Sequence, residues 1–336
     1  MKCTNKYKII AIIVIMASLL CGCGNKSQLW MPFSDYTKTA RSTIGRTFTF
    51  EHATYDNRYP GFADDLCVFS GNVSNPSFSQ AEGSAALLID SGNDTALYAQ
   101  NAFEQRYPAS ITKIMTAYVA CKYLSPDSVI TCTASVETID VSGAILLGLK
   151  EGDYFTLDQA LHLCLLSSYN DVAVAIAEAV SGNVEDFAKL MNDEALKLGC
   201  TGTNFVNPSG LPDENHYTTA YDLYLIFNEA INNPLLMEVI QCNDYSTVIH
   251  SKNGSEKQVS SRNTNQYFIG NFSAPAGITI VGGKTGTTTD AGHCLIILVR
   301  NTDSRPYIAL VLGAPTTEGL YNEMSEMLKL CEVSSN

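Results

Sequence analysis

Between residues 85 and 312 this sequence begins and ends with strand-like apolar segments, and helical segments lie between them. Two short apolar runs, residues 85–90 and 96–99, flank a turn-forming Ser-Gly-Asn-Asp stretch, which is the pattern of a β-hairpin. Three more strand-like runs come much later, at residues 278–281, 294–300 and 307–312. This order predicts an antiparallel sheet completed by distant segments of the chain, with a helical region inserted in the middle.

The helical segments are recognised by apolar residues that recur at spacings of three and four. They cover residues 110–123, 156–180, 184–198 and 218–231. A final helix is expected after the last strand, because five apolar residues fall on one helical stripe. They are Leu320, Met324, Met327, Leu328 and Cys331. The predicted fold class is therefore α/β of the α+β type, an antiparallel sheet flanked by helices with an inserted helical subdomain.

Residues 1–22 have the pattern of a lipoprotein signal peptide. Three lysines precede a short apolar run, residues 9–20, that is too short to cross a membrane comfortably. The Leu-Cys-Gly-Cys that closes this run resembles the bacterial lipobox, in which a signal peptidase cuts before a diacylated cysteine. This resemblance makes Cys23 the lipidated residue of an exported protein, held on the extracytoplasmic face of a membrane of the cell envelope. An ordinary cleaved signal with incidental cysteines is the alternative.

Residues 23–80 are polar and show no sustained apolar period, which predicts a poorly structured spacer. Residues 81–336 form the predicted folded domain. The chain has 34 acidic and 21 basic residues without a long run of either sign, so nucleic acid is not an expected partner.

The sequence contains 11 cysteines, three of them at or before position 23. No two of the others have the spacing of metal ligands, so a metal site is not expected. Several lie inside apolar runs and have the pattern of small core residues with free thiols, although an exported protein could bridge some of them.

Three short motifs occur in order along the chain: Ser110-Ile111-Thr112-Lys113, Ser168-Tyr169-Asn170 and Lys284-Thr285-Gly286. Together they match the S-x-x-K, S-x-N and K-T-G set of penicillin-binding proteins and serine β-lactamases. The first and third patterns each occur once, whereas S-x-N recurs elsewhere in the chain and means nothing alone. The order of the three motifs therefore carries the match.

Ser110 and Lys113 are one helical turn apart and so lie on the same face of the predicted helix. A serine hydroxyl is a weak nucleophile until a base takes its proton, and a lysine can be that base when apolar neighbours destabilise its ammonium form. Backbone N–H groups of Ser110 and Thr287 would face a developing oxyanion. In isolation, the pair would indicate only a helix-capping serine and a solvated lysine.

The second motif lies at a break in an apolar stretch. Ser168 could relay a proton to a leaving amine, and the Asn170 amide could bind the backbone of a substrate. Either residue alone is more typical of a helix cap.

The third motif follows the predicted strand at residues 278–283. Lys284 would bring positive charge to the site, and the Thr285 hydroxyl would meet a terminal carboxylate of the substrate. Gly286 would let the strand lie close to that substrate. The motif alone would indicate only a glycine-containing strand end.

Beyond the motifs, the sequence resembles the D-Ala-D-Ala carboxypeptidase family, the low-molecular-mass penicillin-binding proteins that trim peptidoglycan stem peptides. The resemblance covers about residues 82–332 and includes four ordered segments, at residues 192–199, 203–211, 216–220 and 291–295. The family fold is a β-lactamase/transpeptidase-like sheet domain with a helical subdomain, which agrees with the pattern of strands and helices above.

This resemblance implies a serine-type carboxypeptidase that removes the terminal D-Ala from stem pentapeptides through an acyl-enzyme on Ser110. β-Lactams are expected to acylate the same serine, and no cofactor or metal is required. The residues implied as catalytic are Ser110, Lys113 and Ser168, and those implied as substrate-binding are Asn170, Lys284, Thr285, Gly286 and Thr287. The resemblance also makes residues 81–336 a D,D-peptidase domain.

The sequence departs from the family pattern near the site. Tyr169 stands where many members have glycine, and its bulk is expected to narrow the cleft. Where some members carry an arginine after the last strand, residues 313–316 are Gly-Ala-Pro-Thr, so binding of the substrate carboxylate is expected to fall on Thr285 and Lys284. Many members also continue into a β-rich domain and an amphipathic helix that anchors them to the membrane. In this chain, an N-terminal lipid is expected to replace that anchor.

Two other functions are compatible with the motifs. A β-lactamase shares all three but in its commonest class adds a glutamate within an E-x-x-L-N segment, and no such segment lies between Asn170 and Lys284. A non-catalytic lipoprotein of the same fold that binds the cell wall would be favoured by loss of the serine or the lysine, and both are present.

Overall fold

The structure is a computed structural model that describes residues 66–78 and 84–331 of the 336-residue chain. The predicted leader with Cys23, and most of the predicted spacer, lie outside the described residues. None of the helices within the described ranges is long and apolar enough to cross a membrane.

Nine strands and seven α-helices, with three short 3₁₀ turns, make up the described part of the chain. The strands are β1 (Ala85–Asp90), β2 (Thr95–Gln100), β3 (Val129–Thr131), β4 (Tyr154–Thr156), β5 (Asp244–His250), β6 (Glu256–Arg262), β7 (Thr279–Thr288), β8 (Gly292–Arg300) and β9 (Pro306–Ala314). The α-helices are α1 (Thr112–Tyr123), α2 (Leu157–Leu166), α3 (Asn170–Ser181), α4 (Val184–Lys197), α5 (Ala220–Ala230), α6 (Pro234–Gln241) and α7 (Thr317–Leu328).

Five strands form one antiparallel sheet in the order β2-β1-β9-β8-β7. The β1–β2 hairpin from the start of the domain joins the β7–β8–β9 meander from its end where β1 pairs with β9. This pairing runs from Ala85 opposite Leu312 to Asp90 opposite Tyr307. Helices α1 to α6 are inserted between β2 and β7. The predicted sheet of distant segments, with its inserted helical region, is therefore confirmed.

Both faces of this sheet are buried, so its strands need apolar residues at successive positions. In β1, Leu87 and Ile89 face the core that the sheet shares with the helical region, whereas Leu88 faces a second core under α7. The stripe predicted for the final helix lies in that second core. Fully burying one such side chain stabilises the fold by roughly 1.5–3 kcal/mol, and β8 and β9 are accordingly almost continuous apolar runs.

A second sheet, in the order β3-β4-β5-β6, is absent from the sequence prediction. In β6 only Val259 and Ser261 are buried, and the other positions are exposed. A strand without regular alternation of apolar and polar residues carries no period-two signal. Helix α6 is also missed, because its eight residues are too few to establish a helical period.

Two local expectations differ from the structure. Ser110 does not cap an α-helix: it lies within the 3₁₀ turn Ala109–Ile111, and α1 begins after it without a side-chain cap bond. The strand that carries the K-T-G motif does not end before it, because pairing with β8 continues as far as Thr288 opposite Gly292. Lys284 therefore lies inside β7 rather than beyond its end.

Residues 66–78, which belong to the predicted spacer, pack against the domain. The Cys67 N–H donates a hydrogen bond to Tyr224 Oη at 3.0 Å, and Tyr221 Oη donates to the Cys67 carbonyl at 3.0 Å. A backbone bridge also joins this segment to β2. The folded unit therefore includes residues that precede position 81. All eight described cysteines, Cys67 included, are free thiols.

Asp171, in the first turn of α3, holds a loop that precedes β4. Its side chain is buried, and its carboxylate accepts three backbone N–H groups of that loop at 3.0, 2.8 and 3.1 Å, besides the Val172 N–H of its own helix at 3.1 Å. The loop donors are Leu147, Gly148 and Leu149. Because hydrogen bonds to a buried carboxylate are strong, this residue fixes the loop against the helical region.

Replacing Asp171 with alanine should lower the free energy of unfolding by about 3 kcal/mol, because three backbone amides lose a charged acceptor. Urea denaturation followed by circular dichroism measures the change. The matched control is Asp127→Ala at an exposed aspartate, for which a change within about 0.5 kcal/mol is expected. Equal losses in the two variants would show that Asp171 does not fix the loop.

Candidate active site

Ser110 is presented by a strained turn. Ala109 before it has a φ of +47°, a left-handed conformation that costs a residue with a Cβ about 1–2 kcal/mol. Two glycines pack against this turn. A Cβ on Gly210, itself at φ +80°, would lie 1.8 Å from the Ala109 carbonyl oxygen, and one on Gly286 would lie 3.0 Å from the Ser110 nitrogen. The turn is therefore held between the loop at Gly210 and strand β7.

Lys113 lies one turn after the serine and is fully buried. Its Nζ donates hydrogen bonds to Ser110 Oγ at 3.0 Å, to Asn170 Oδ1 at 2.7 Å and to the Ser209 carbonyl at 2.6 Å. Burial lowers the pKa of Lys113 to about 8, because the ammonium form loses its hydration. The amine can therefore exist unprotonated beside the serine hydroxyl near neutral pH.

Lys284 is the second buried cation of the site. Its Nζ donates to the Thr285 carbonyl at 2.9 Å. Burial first, and then the positive charge of Lys113, lower the pKa of Lys284 to about 7. The nearby Cys164 thiol stays neutral, since burial raises its pKa to about 11. Both buried amines therefore hold their protons less firmly than a solvated lysine does.

Ser168 lies at the break between α2 and α3, with a φ of +63°. Its side chain is 4% exposed, and its Oγ has no hydrogen-bond partner among residues 66–78 and 84–331. Because a buried hydroxyl without a partner is costly, this group is ready to bond to a ligand. Tyr169 packs against the core of the helical region and does not line the cavities beside Ser110, so the expected narrowing of the cleft is not seen.

Asn170 is the first residue of α3, and its side chain makes one hydrogen bond at each end within the protein. Its Oδ1 accepts from Lys113, and its Nδ2 donates to the Ile145 carbonyl at 3.2 Å. Its own backbone N–H donates to the same carbonyl at 2.8 Å. The amide thus ties the lysine to the loop that Asp171 holds.

A cavity of about 470 Å³ lies in front of Ser110, and a second of about 210 Å³ continues from it toward β7 and α7. Six of the eight residues expected from the sequence to catalyse or bind line these cavities: Ser110, Ser168, Asn170, Thr285, Gly286 and Thr287. Lys113 and Lys284 line neither cavity, because both side chains are buried behind the residues that form the cavity walls. The three motifs therefore meet at one place.

Several residues at the site were not singled out from the sequence. The Ser209 carbonyl accepts from Lys113, and Asn207 holds the Ser209 loop by accepting two backbone N–H groups. The only signal for this loop was its place in a family-like segment. Asp171 resembles any acidic residue at the start of a helix. His293, which lines both cavities, belongs to none of the three motifs, and its only signal was its place in the family-like segment 291–295.

A hydroxyl nucleophile, a desolvated amine that can take its proton and a lining hydroxyl with no partner are the parts needed for acyl transfer through a covalent intermediate. In the described residues, no group of three His, Cys, Asp or Glu side chains is placed to hold a metal ion. The fold and this serine–lysine pair define the class: active-site serine proteins of the β-lactamase/transpeptidase type. Within that class, the chain belongs to the D-alanyl-D-alanine carboxypeptidase family, whose model matches residues 72–316.

Three curated relatives show the extent of the match. The D-alanyl-D-alanine carboxypeptidase DacF of Bacillus subtilis is 31% identical over 253 residues, which are 74% of this chain and 61% of the relative. DacC of Escherichia coli is 31% identical over 275 residues, 80% of this chain and 64% of the relative. A D-alanyl-D-alanine endopeptidase of Pseudomonas aeruginosa is 32% identical over 232 residues, 69% of this chain and 71% of the relative. The chain thus spans less than two thirds of the first two relatives.

Two solved structures share the fold. A Streptomyces DD-transpeptidase superimposes with a TM-score of 0.69 at 25% identity, over 77% of this chain and 99% of the other. The D-alanyl-D-alanine carboxypeptidase DacD of Francisella tularensis gives a TM-score of 0.65 at 23% identity, over 78% of this chain and 73% of the other. The predicted family and fold class are confirmed.

The lowered pKa of Lys113 predicts a pH dependence. Only the neutral amine can accept the Ser110 proton, so the rate of Ser110 acylation by benzylpenicillin should rise with pH and level off above about 8. Below that value it should fall about tenfold per pH unit. Stopped-flow or quenched-flow acylation between pH 5.5 and 9.5 measures the profile.

The control variant is Lys113→Arg, whose guanidinium keeps its proton throughout this range. It should acylate at least about a thousandfold more slowly and show no rise with pH. A flat profile in the unmodified protein would remove Lys113 as the base.

Proposed function

We propose that this chain is a serine-type D-Ala-D-Ala carboxypeptidase that removes the terminal D-Ala from peptidoglycan stem pentapeptides. The observation that carries the proposal is the buried Lys113 amine 3.0 Å from Ser110 Oγ, at the wall of a cavity that Ser168 also lines. Membership of the D-alanyl-D-alanine carboxypeptidase family supports it. The reaction needs neither a metal nor an organic cofactor.

In the first step, neutral Lys113 takes the hydroxyl proton of Ser110, and the serine oxygen bonds to the carbonyl carbon of the penultimate D-Ala. The carbonyl oxygen becomes an oxyanion, for which the backbone N–H groups of Ser110 and Thr287 are the proposed donors. The strained turn at Ala109 and the two glycines against it support this role, because they hold the Ser110 backbone at the wall of the cavity.

In the second step, the C–N bond breaks and the terminal D-Ala leaves as an amine. Its proton is proposed to come from the Lys113 ammonium through the Ser168 hydroxyl, whose Oγ has no hydrogen-bond partner among the described residues and can therefore bond to the leaving amine. Water then attacks the ester carbonyl on Ser110 while Lys113 accepts a proton from it. The bond between the carbonyl carbon and Ser110 Oγ breaks, Lys113 returns the proton to that oxygen, and the shortened peptide leaves as the carboxylic acid.

The remaining motif residues are proposed to bind the substrate or to support the wall that binds it. Asn170, Thr285 and Thr287 lie at the cavity walls and offer polar groups to the peptide. Gly286 keeps β7 close to the serine turn, and Lys284 supplies charge from behind the wall. β-Lactams present a strained amide to the same serine and are proposed to acylate it.

The proposal predicts a covalent adduct. Incubation of the full-length protein with benzylpenicillin should give one long-lived penicilloyl adduct by intact-protein mass spectrometry, and Ser110→Ala should abolish it. The matched control is Ser142→Ala, an exposed serine that lines the same cavity, which should keep the adduct. Rapid turnover to free penicilloate would indicate a β-lactamase, and neither adduct nor turnover would indicate a non-catalytic wall-binding protein.

Peptide substrates separate the two activities found among the relatives. A stem pentapeptide should lose one D-Ala, detected by chromatography, and Ser110→Ala should stop the release. A crosslinked peptide dimer tests the endopeptidase alternative, which is suggested by the similarity to the Pseudomonas aeruginosa endopeptidase. Cleavage of the dimer with no release of D-Ala from the pentapeptide would overturn the carboxypeptidase assignment.

The site of action is proposed to be the extracytoplasmic face of a membrane in the cell envelope, with Cys23 as the lipidated anchor. The lipobox-like sequence supports this, and it lies outside the described residues. Cys23→Ser should abolish incorporation of labelled fatty acid and release the protein from the membrane fraction. Cys21→Ser is the control and should leave labelling intact; the reverse result would move the anchor to Cys21.

A further inference from the structure

We propose that His293 binds the C-terminal carboxylate of the substrate and thereby makes the site selective for peptides with a free end. The inference rests on the proposed carboxypeptidase function and adds a specificity-determining residue to it. His293 belongs to none of the three motifs, and it lines both cavities beside Ser110.

The cavity walls hold no other basic group. Among the described residues that line the two cavities there is no lysine, arginine, aspartate or glutamate, and His293 is the one side chain that can carry a positive charge. Lys113 and Lys284 are buried behind the walls with their Nζ atoms bonded to protein acceptors. A substrate carboxylate would therefore meet the imidazole without touching either lysine.

The imidazole is held in place by two hydroxyls. His293 lies on β8 directly opposite Thr287 of β7, the strand that carries the K-T-G motif. Its Nδ1 is 3.4 Å from Thr287 Oγ1 and 3.2 Å from Thr317 Oγ1. Its Nε2 has no hydrogen-bond partner within residues 66–78 and 84–331. One ring nitrogen is thus oriented by the protein, and the other is left for a ligand.

The surroundings of the ring favour an anion. The Thr285 hydroxyl, bonded to Thr264 at 2.5 Å, lines the smaller cavity with His293 and can donate to the same carboxylate. Thr317 is the first residue of the 12-residue helix α7, whose amino end carries partial positive charge. The titratable neighbours in that cavity are neutral, since burial raises the pKa of Cys294 to about 12 and also raises that of Tyr321. No carboxylate of these walls competes for the ring.

A purely structural role is the rival explanation, in which His293 only bridges β7 to α7 through Thr287 and Thr317. The two roles differ in what they do to a ligand without a carboxylate. A carboxylate-binding residue matters only for the anionic ligand, whereas a bridge matters equally for anionic and neutral ligands.

The test compares benzylpenicillin with its methyl ester, which lacks the negative charge, as acylating agents of Ser110 in the full-length protein. The variants are His293→Ala, His293→Gln and the control His250→Ala, a half-exposed histidine that stacks on Tyr154 in the other sheet. Intact-protein mass spectrometry gives the second-order acylation rates. The peptide pair acetyl-Lys-D-Ala-D-Ala and its C-terminal carboxamide gives KM and kcat for the same variants.

We expect His293→Ala to slow acylation by benzylpenicillin about tenfold, because one hydrogen bond to a charged group is lost. Acylation by the methyl ester should slow less than about twofold. KM for the free peptide should rise about tenfold with kcat little changed. His293→Gln keeps one N–H donor and should recover part of the loss, and His250→Ala should match the unmodified protein.

Equal slowing of the two penicillins, or no slowing of either, would overturn the assignment of His293 while leaving the proposed enzyme intact. If the unmodified protein is acylated by neither compound and hydrolyses no peptide, the proposed function fails and the carboxylate site fails with it.

Discussion

The buried amine of Lys113 is the group on which the rest of the site depends. Its three acceptors come from three separate segments: the turn before α1, the first residue of α3 and the loop at Ser209. A buried ammonium without such partners would cost several kcal/mol, so its burial fixes those segments around one point. The same burial lowers the pKa of the amine to about 8. One physical cause therefore both assembles the site and prepares its base.

The scaffold brings the serine against an edge strand. Among the described residues, strand β7 pairs only with β8, and beside its unpaired edge Gly286 leaves room for the turn that carries Ser110. Gly210 leaves room on the other side of the turn. A side chain at either position would push the serine away from the lysine, so the two glycines do as much for the geometry as the polar residues do for the chemistry.

The sequence predicts the features that depend on apolar periodicity and on ordered motifs. The five-stranded sheet, most helices and the convergence of the motifs on Ser110 belong to this group. It does not predict the second sheet, because β3 and β4 are only three residues long and β6 is polar and exposed at most positions. It also does not predict the orientation of Tyr169, which is set by packing against the core of the helical region. Asp171 carries no local signal, because the loop that it holds lies 22 to 24 residues earlier in the chain. His293 had only its place in a family-like segment, because it meets Thr317 only in the fold.

Strand β1 lies between β2, its neighbour in sequence, and β9, the last strand of the chain. A nascent chain can close the β1–β2 hairpin early, but the sheet stays incomplete until the opposite end of the domain arrives. Closing so long a loop is slow compared with forming local helices. Ser110, in the turn before α1, and Lys113, in α1, are therefore not fully surrounded until β7 has joined the sheet. We therefore expect Ser110 to become a competent nucleophile late in folding, so that a chain without β7 would carry the serine without being able to use it.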